Sequence, residues 1–346
     1  MFCFENSACL FGTVFMPCSL SKFKYVHKVN LFFSCLFLGI DQNEYAIKAI
    51  RKDKGYTREV ATKLIELEVQ TMLNLGSHPN IVNIFDSNTN GVARLPVTGL
   101  EEVKYIALEK CANGSLSKYI RNTGPLEEQV TRFFFLQLWN AVSFMHEQHY
   151  VHLDIKLDNI LLDDFFNVKL GDLGIALCAK NTSGYIAHRR GTPKYMAPEV
   201  EKASDKAPFN VFSADIYSLG VCLHLLLFGE YPESKFNEEK VPTENSSNES
   251  DETMSDNESK ECSIKDSISL SISESWLDLL EDLLNVNPHN RPAISKILSH
   301  PWLNQEVNES LIEMVYLEMS ERSKFMKNPK KQNILPFEES DGEFNM

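Results

Sequence analysis

The 346-residue chain predicts an α+β fold in two unequal parts, a small β-rich lobe followed by a larger helical one. Short β-favouring runs dominate as far as residue 110, and apolar residues at helical spacing dominate beyond it. An apolar share of 43% over this length suffices for one large core divided by a cleft. Such a cleft is the common place for a small-molecule site.

Between Lys24 and Ile50, β-favouring stretches alternate with the turn-forming Asp41, Gln42 and Asn43, which predicts a three-strand meander. Glu59 to Leu75 carries Val60, Leu64, Leu67 and Met72 at near-helical spacing, and His78, Pro79 and Asn80 end that helix. Ile81 to Phe85 starts a strand, a polar glycine-bearing insert follows at residues 87–100, and Val103 to Leu108 is strand again. The first lobe is thus expected to hold five strands and one long helix. Beyond Cys111, Leu116 to Ile120 reads as a short helix and Leu126 to His149 as a long one, with Val130, Phe134, Leu138, Val142 and Met145 apolar. Residues 160–162 and 168–170 look like two short strands. Ala214 to Phe228 is a strongly apolar helix, and Trp276 to Leu284 and Ala293 to Leu298 supply two more.

Composition excludes several functions. A formal charge of −14 without a basic tract argues against nucleic-acid binding, which depends on cations neutralising phosphates. The eight cysteines form no CxxC pair or zinc spacing and read as reduced thiols, so a cytoplasmic location, or a nuclear one, is expected. The apolar start lacks the charged leader and unbroken run of a signal peptide, and no later run reaches the roughly 20 residues of a membrane span. Residues 235–266 hold ten acidic residues, many Ser and Asn and few large apolar ones. They predict a disordered acidic insert, either plain solvated loop or a phosphorylation or docking segment. Glu306 to Phe325 reads as a surface helix ahead of a frayed tail with Lys327, Lys330 and Lys331; autoinhibition or partner docking is the alternative there.

Residues 150–174 carry the chemistry. Asp154, Asn159 and Asp172 are spaced as a nucleotide-phosphate enzyme needs its acids and amide. With them, in order along the chain, stand Ala46-Ile47-Lys48, Glu68, Leu108, His152, Asp172-Leu173-Gly174, Ala197-Pro198-Glu199, Asp215 and Arg291. This ordered set resembles the eukaryotic-type protein kinases of the serine/threonine class, nearest the calcium/calmodulin-kinase-like branch. The resemblance implies a bilobal protein kinase-like fold over residues 23–303, with lobes at 23–110 and 111–303, an extension at 1–22 and a tail at 304–346.

It further implies ATP and Mg2+ as cofactors and protein substrates phosphorylated on Ser or Thr. Lys48 would contact the α- and β-phosphates while Glu68 holds its ammonium, and Asp154 would orient the acceptor hydroxyl and take its proton. Lys156 would stabilise charge on the transferred group, and Thr192, in Gly191-Thr192-Pro193-Lys194-Tyr195, would bond near both. Asn159 and Asp172 would offer magnesium its oxygen ligands. Leu36 and Ala46 would roof the adenine, Leu161 would floor it, Glu109 and Cys111 would present linker backbone groups, and Ser115 would reach the ribose. Glu199 and Arg291 would form a buried salt bridge, and Asp215 would hold the catalytic-loop backbone.

Two departures stand out. The loop expected to cover the phosphates, Val29-Asn30-Leu31-Phe32-Phe33-Ser34, contains no glycine, where a Cβ obstructs close approach of backbone amides; Ser34 is its mildest replacement. That keeps open a second reading, a scaffold of the same fold with weak or absent transfer. Leu153 stands where relatives governed by activation-loop phosphorylation carry arginine, so less dependence on modification of Thr182, Ser183 or Tyr185 is expected.

Overall fold

The computed structural model describes residues 23–28, 34–39, 44–50, 58–95, 99–232 and 275–326. The amino-terminal extension, most of the glycine-free loop, the acidic insert and the basic end of the tail lie outside the described residues.

The first strands are β1 (Phe23–Lys28), β2 (Ser34–Gly39) and β3 (Glu44–Ile50), a meander as the turn residues imply. Helix α1 (Arg58–Leu75) follows, then β4 (Ile84–Leu95) and β5 (Gly99–Glu109), which complete an antiparallel sheet ordered β1-β2-β3-β5-β4. The polar stretch after Ser87 is not an insert but the continuation of β4, paired with β5 as far as Leu95 opposite Gly99. Irregularities between Ile84 and Asp86 and between Asn88 and Gly91 absorb residues that suit a flat strand poorly. Pairing to a long partner strand here overrides weak local β preference.

Helix α1 also turns differently from expectation. Ile65, Glu68, Met72 and Leu75 are buried, whereas Leu67 is 62% exposed. The buried face is the one that carries Glu68 inward together with Ile65, Met72 and Leu75, while Leu67 points away from it.

The second part begins with β6 (Gly114–Ser115), α2 (Leu116–Thr123) and α3 (Glu128–Glu147), then β7 (Tyr150–Val151), β8 (Ile160–Leu162), β9 (Val168–Leu170), β10 (Leu177–Cys178) and β11 (Tyr185–Ile186). Short helix α4 (Pro198–Glu201) and β12 (Phe209–Asn210) lead into α5 (Val211–Phe228). Strands β6, β8 and β9 form one small sheet, while β7 pairs with β10 and β11 with β12. Residues 160 and 170 face each other across β8 and β9, and the Gly171 amide donates to the Asn159 carbonyl at 2.9 Å, which sets Asn159 beside Asp172.

Helix α5 is the axis of this part. Asn210 caps it by accepting from the Phe212 and Ser213 amides, both at 3.0 Å, and Gly229 ends it in the left-handed region at φ 76°. With a mean hydropathy of 1.8 it is long and apolar enough to cross a membrane by length and composition. Its residues from Val211 to Leu227 are instead almost all buried against the neighbouring helices, as an all-round apolar helix in a large core must be.

Helices α6 (Ser275–Leu283), α7 (Ile294–Ile297) and α8 (Glu309–Met326) complete the fold. Helix α8 lies on the surface as expected, with Ile312, Tyr316 and Leu317 exposed, but one face of it is docked. Leu311, Val315, Met319 and Ser323 repeat every four residues and are buried against α2 and α3. The three apolar ones contribute roughly 1.5–3 kcal/mol each. Arg322 then donates to the carbonyls of Thr123, Gly124 and Pro125 and to the Thr123 hydroxyl, satisfying carbonyls at the end of α2.

Candidate active site

The site is assembled by backbone geometry in the segment between β7 and β9. Leu153 sits at φ 62°, a conformation unfavourable to a bulky side chain, and its amide donates to Asp215 Oδ1 at 2.8 Å. The amide of His152 donates to Asp215 Oδ2, also at 2.8 Å. Asp215, buried on α5, thereby holds the turn that aims Asp154, the scaffold role the resemblance implied. His152 makes the second brace: its Nδ1 accepts from the Asp154 amide at 3.2 Å and its Nε2 lies 3.0 Å from the Gly171 carbonyl. Both contacts fit the tautomer protonated on Nε2.

Asp154 is the centre of a tight polar group. Thr192 Oγ1 donates to its Oδ1 at 2.7 Å, Lys156 Nζ lies 2.8 Å from its Oδ2, and Lys156 also donates to Thr192 at 2.8 Å. Asn159 Nδ2 donates to the Asp154 carbonyl at 2.9 Å and to its Oδ2 at 3.1 Å. The structure thus brings Asp154, Lys156, Asn159 and Thr192 together, though they span 38 residues.

A second group lies on the sheet side. Lys48 Nζ contacts both Glu68 oxygens, at 2.8 and 2.7 Å, and Asp172 Oδ1 at 2.7 Å. Burial is the strongest influence on Lys48 and pulls its pKa down, but Glu68 and Asp172 together outweigh it and hold the ammonium above its ordinary value. For Glu68, burial wins over Lys48 and raises the carboxyl. Asp172 is lowered: burial opposes this, but Lys48 prevails. Its side chain keeps 48% exposure, open toward the cleft, at φ 60°. Gly174 closes this group from below, since a Cβ there would lie 3.3 Å from Asp172 Oδ1 and 3.7 Å from Lys48 Nζ.

The oxygens suit magnesium. Asn159 spends its amide nitrogen on Asp154, which leaves its carbonyl oxygen, and Asp172 has one oxygen on Lys48 and a second beside it. One carboxylate and one amide oxygen match an ion that keeps several waters and takes phosphate oxygens as further ligands.

Around the expected adenine position the geometry is mixed. Ala46 lies opposite Leu108 in the sheet, and Leu161 lies opposite Ser115. Strand β2 sets Leu36 opposite Ala46 and Ser34 opposite Lys48, while their side chains lie outside the description. The Glu109 amide donates to the Asn83 carbonyl at 2.8 Å, and the Cys111 carbonyl accepts from Gly114, so those two backbone groups are already engaged. Sequence reasoning missed Lys169, whose ammonium lies 2.6 Å from Glu109 Oε1 and locks the linker to β9. A lysine between two buried apolar residues of a three-residue strand was the available signal.

Below the site, Arg291 and Glu199 form a bidentate pair at 2.6 and 2.8 Å, with no exposure on the arginine side chain. Arg291 also donates to the carbonyls of Ser213 and Asn285. This is the buried bridge the resemblance implied.

Residues 33–303 match the family model for the protein kinase domain. The chain is 31% identical over 313 residues to the cell cycle serine/threonine-protein kinase CDC5/MSD2 of Saccharomyces cerevisiae, covering 89% of this chain and 39% of that one. It is 29% identical to the meiosis-specific serine/threonine-protein kinase mek1 of Schizosaccharomyces pombe, over 78% of this chain and 56% of the relative. A third similar protein is the CBL-interacting protein kinase 31 of Oryza sativa, 31% identical over 75% of this chain and 51% of the relative. The chain therefore spans between about two fifths and somewhat over half of these relatives. With the match running from β2 to the end of the helical core, and the ion pairs of the family in their places, the chain belongs to the protein kinase family.

Proposed function

We propose that the chain is a protein serine/threonine kinase that moves the γ-phosphate of ATP onto side-chain hydroxyls of protein substrates, with residues 23–303 as the catalytic unit. Protein kinases use ATP with magnesium. The observation that carries the reading is the juxtaposition of two polar groups, Lys48–Glu68–Asp172 and Asp154–Lys156–Thr192–Asn159, tied where the Gly171 amide, next to Asp172, donates to the Asn159 carbonyl at 2.9 Å. Lys48, kept charged, binds the α- and β-phosphates, and Glu68 stops the ammonium from wandering. Asn159 and Asp172 would hold magnesium, which would offset phosphate charge when bound. Asp154 orients the acceptor hydroxyl and receives its proton, while Lys156 offsets charge on the transferred group. Thr192 fixes both side chains, which favours serine and threonine over tyrosine as acceptors.

Leu36, Ala46 and Leu161 enclose the adenine in this reading, Glu109 and Cys111 present the remaining linker groups, Ser115 borders the ribose and Ser34 the phosphates. The test is magnesium-dependent phosphate incorporation into a serine/threonine peptide library. Asp154→Ala and Lys48→Met should each lower kcat/KM at least about a hundredfold. Equal activity in both variants and the parent would overturn the assignment. ATP binding without transfer would instead support the scaffold reading, which the glycine-free stretch from Val29 to Ser34 favours.

A further inference from the structure

Between β11 and the turn at Pro193–Tyr195 the chain carries His188, Arg189 and Arg190 in succession, all exposed, and Lys194 follows, also exposed. In a chain of net charge −14 this is a local reversal of sign. These cations are not spent on the fold. Among the described residues, neither guanidinium pairs with a carboxylate; Arg189 Nε reaches only Met196 Sδ at 3.4 Å, and Lys194 lies 5.0 Å from the centre of the Tyr231 ring. The neighbouring acids are already engaged, Asp154 with Lys156 at 2.8 Å, Asp158 with Arg121 at 3.3 Å and Glu199 with Arg291 at 2.6 Å.

Its position is as telling as its charge. Arg190 lines a small cavity together with Leu153, Asp154, Thr192 and Tyr195. Gly191, at φ 103°, passes so close to the catalytic turn that a Cβ there would lie 2.4 Å from the Leu153 carbonyl oxygen. The strip is therefore pressed onto that turn. Two residues beyond Arg190 comes Thr192, bonded to Asp154, so the two Cα atoms are at most about 7.6 Å apart.

We infer that Arg189 and Arg190, aided by His188 and Lys194, bind carboxylates of the protein substrate within about three residues of the phosphoacceptor, so that acidic sequence contexts are preferred. The inference rests on the kinase reading above and names the substrate class of that same site. Each guanidinium offers a planar fork that suits a carboxylate, and the same strip repels substrates carrying lysine or arginine there.

The full chain with magnesium and ATP is assayed on single-serine peptides that carry Asp, phosphoserine, Lys or Ala at each of three positions on either side. Binding of the same peptides is followed by fluorescence anisotropy. The Asp peptides should show about tenfold higher kcat/KM than the Ala peptides, mainly through KM, as a few exposed ion pairs would give. The preference should fade as ionic strength rises toward about 1 M. It should disappear in Arg189→Ala/Arg190→Ala, survive in part in Arg189→Lys/Arg190→Lys, and shift toward Lys peptides in Arg189→Glu/Arg190→Glu, a reversal that a merely structural role would not produce. Equal rates for Asp and Ala peptides, or a preference unchanged in the double-alanine variant, would overturn the inference and leave the kinase reading standing. A gain with phosphoserine alone would overturn the carboxylate assignment. Should no peptide accept phosphate, the kinase reading fails and anisotropy still decides the strip. Tighter Asp-peptide binding that the double-alanine variant loses supports it, and equal binding sinks it.

Discussion

Asp215→Asn removes a single charge that touches no reacting atom, yet it should disable the site. The carboxylate is 1% exposed and accepts three hydrogen bonds, from the amides of His152 and Leu153 at 2.8 Å each and through its contact with His146 Nε2 at 3.0 Å. Asparagine has one acceptor oxygen and one amide group, so either orientation sets N–H against a backbone N–H. Losing one charge-assisted bond of about 1.5–3 kcal/mol and leaving a buried donor unpaired at about 1–3 kcal/mol gives a total of about 2.5–6 kcal/mol. Leu153, held at φ 62°, also loses its restraint and can relax by roughly 1–2 kcal/mol into an ordinary conformation. Asp154 follows it, and a displacement near 1 Å is enough to lower kcat about a hundredfold. All three tryptophans, Trp139, Trp276 and Trp302, belong to the helical part, so urea unfolding followed by their fluorescence reads the part that Asp215 supports. ATP affinity should stay near that of the parent, because Lys48, Glu68 and Asp172 do not contact Asp215. A urea midpoint equal to the parent's together with kcat within about threefold would refute the reasoning.

Glu68, raised by burial, should protonate before Asp172 as pH falls, so the acid limb of kcat/KM for ATP begins at a higher pH than an unperturbed glutamate would set. Glu68→Gln should lower the plateau and remove that limb; a limb left in place would contradict the assignment. Stability has the opposite signs for the two acids. Between its unfolded value and its raised folded value, Glu68 favours the fold as pH falls, whereas the Asp172 contribution is full above about pH 4 and is lost as pH drops through its lower folded value. A Cβ on Gly220 would lie 2.9 Å from Leu283 Cβ and from Leu284 Cδ2. Gly220→Ala should therefore lower urea stability by about 1–3 kcal/mol, despite the roughly 1 kcal/mol that alanine adds to helix propensity. Thr182→Ala/Ser183→Ala should change kcat/KM by less than about threefold, because Leu153 offers a phosphate no charged donor. A loss of about a hundredfold in that pair, matched by dephosphorylation of the parent and reversed there by rephosphorylation, would show another cation in the missing role.

Elements were legible in the sequence wherever local pattern and tertiary demand agree. The meander, the apolar helix ending at Phe228 and the two short strands around Asp163 follow from turn residues and periodicity, and all recur in the structure. The polar stretch after Ser87 misled because strand pairing there comes from a distant segment. Helix α1 misled because Leu67 counts as apolar yet faces outward, while a charged residue faces in. For α8, an acidic surface pattern hid the four-residue repeat that docks it. In the site, Asp154, Asn159 and Asp172 were readable from spacing, but the role of Lys169 was not: a lysine between two apolar residues marks it only locally, and its partner Glu109 lies 60 residues away.

The sequence by itself determined which chemical groups are present and their order: two ammonium groups, three carboxylates, an amide and a hydroxyl, distributed from Lys48 to Thr192. Only the tertiary structure decided that Lys48 lies between Glu68 and Asp172, that Thr192 closes on Asp154, and that Arg189 and Arg190 stand beside them with no carboxylate partner among the described residues. The physical reason is range. Turn and helix preferences act within a few residues, whereas a buried ion pair or an uncompensated surface cation is defined by groups that only folding brings within about 4 Å.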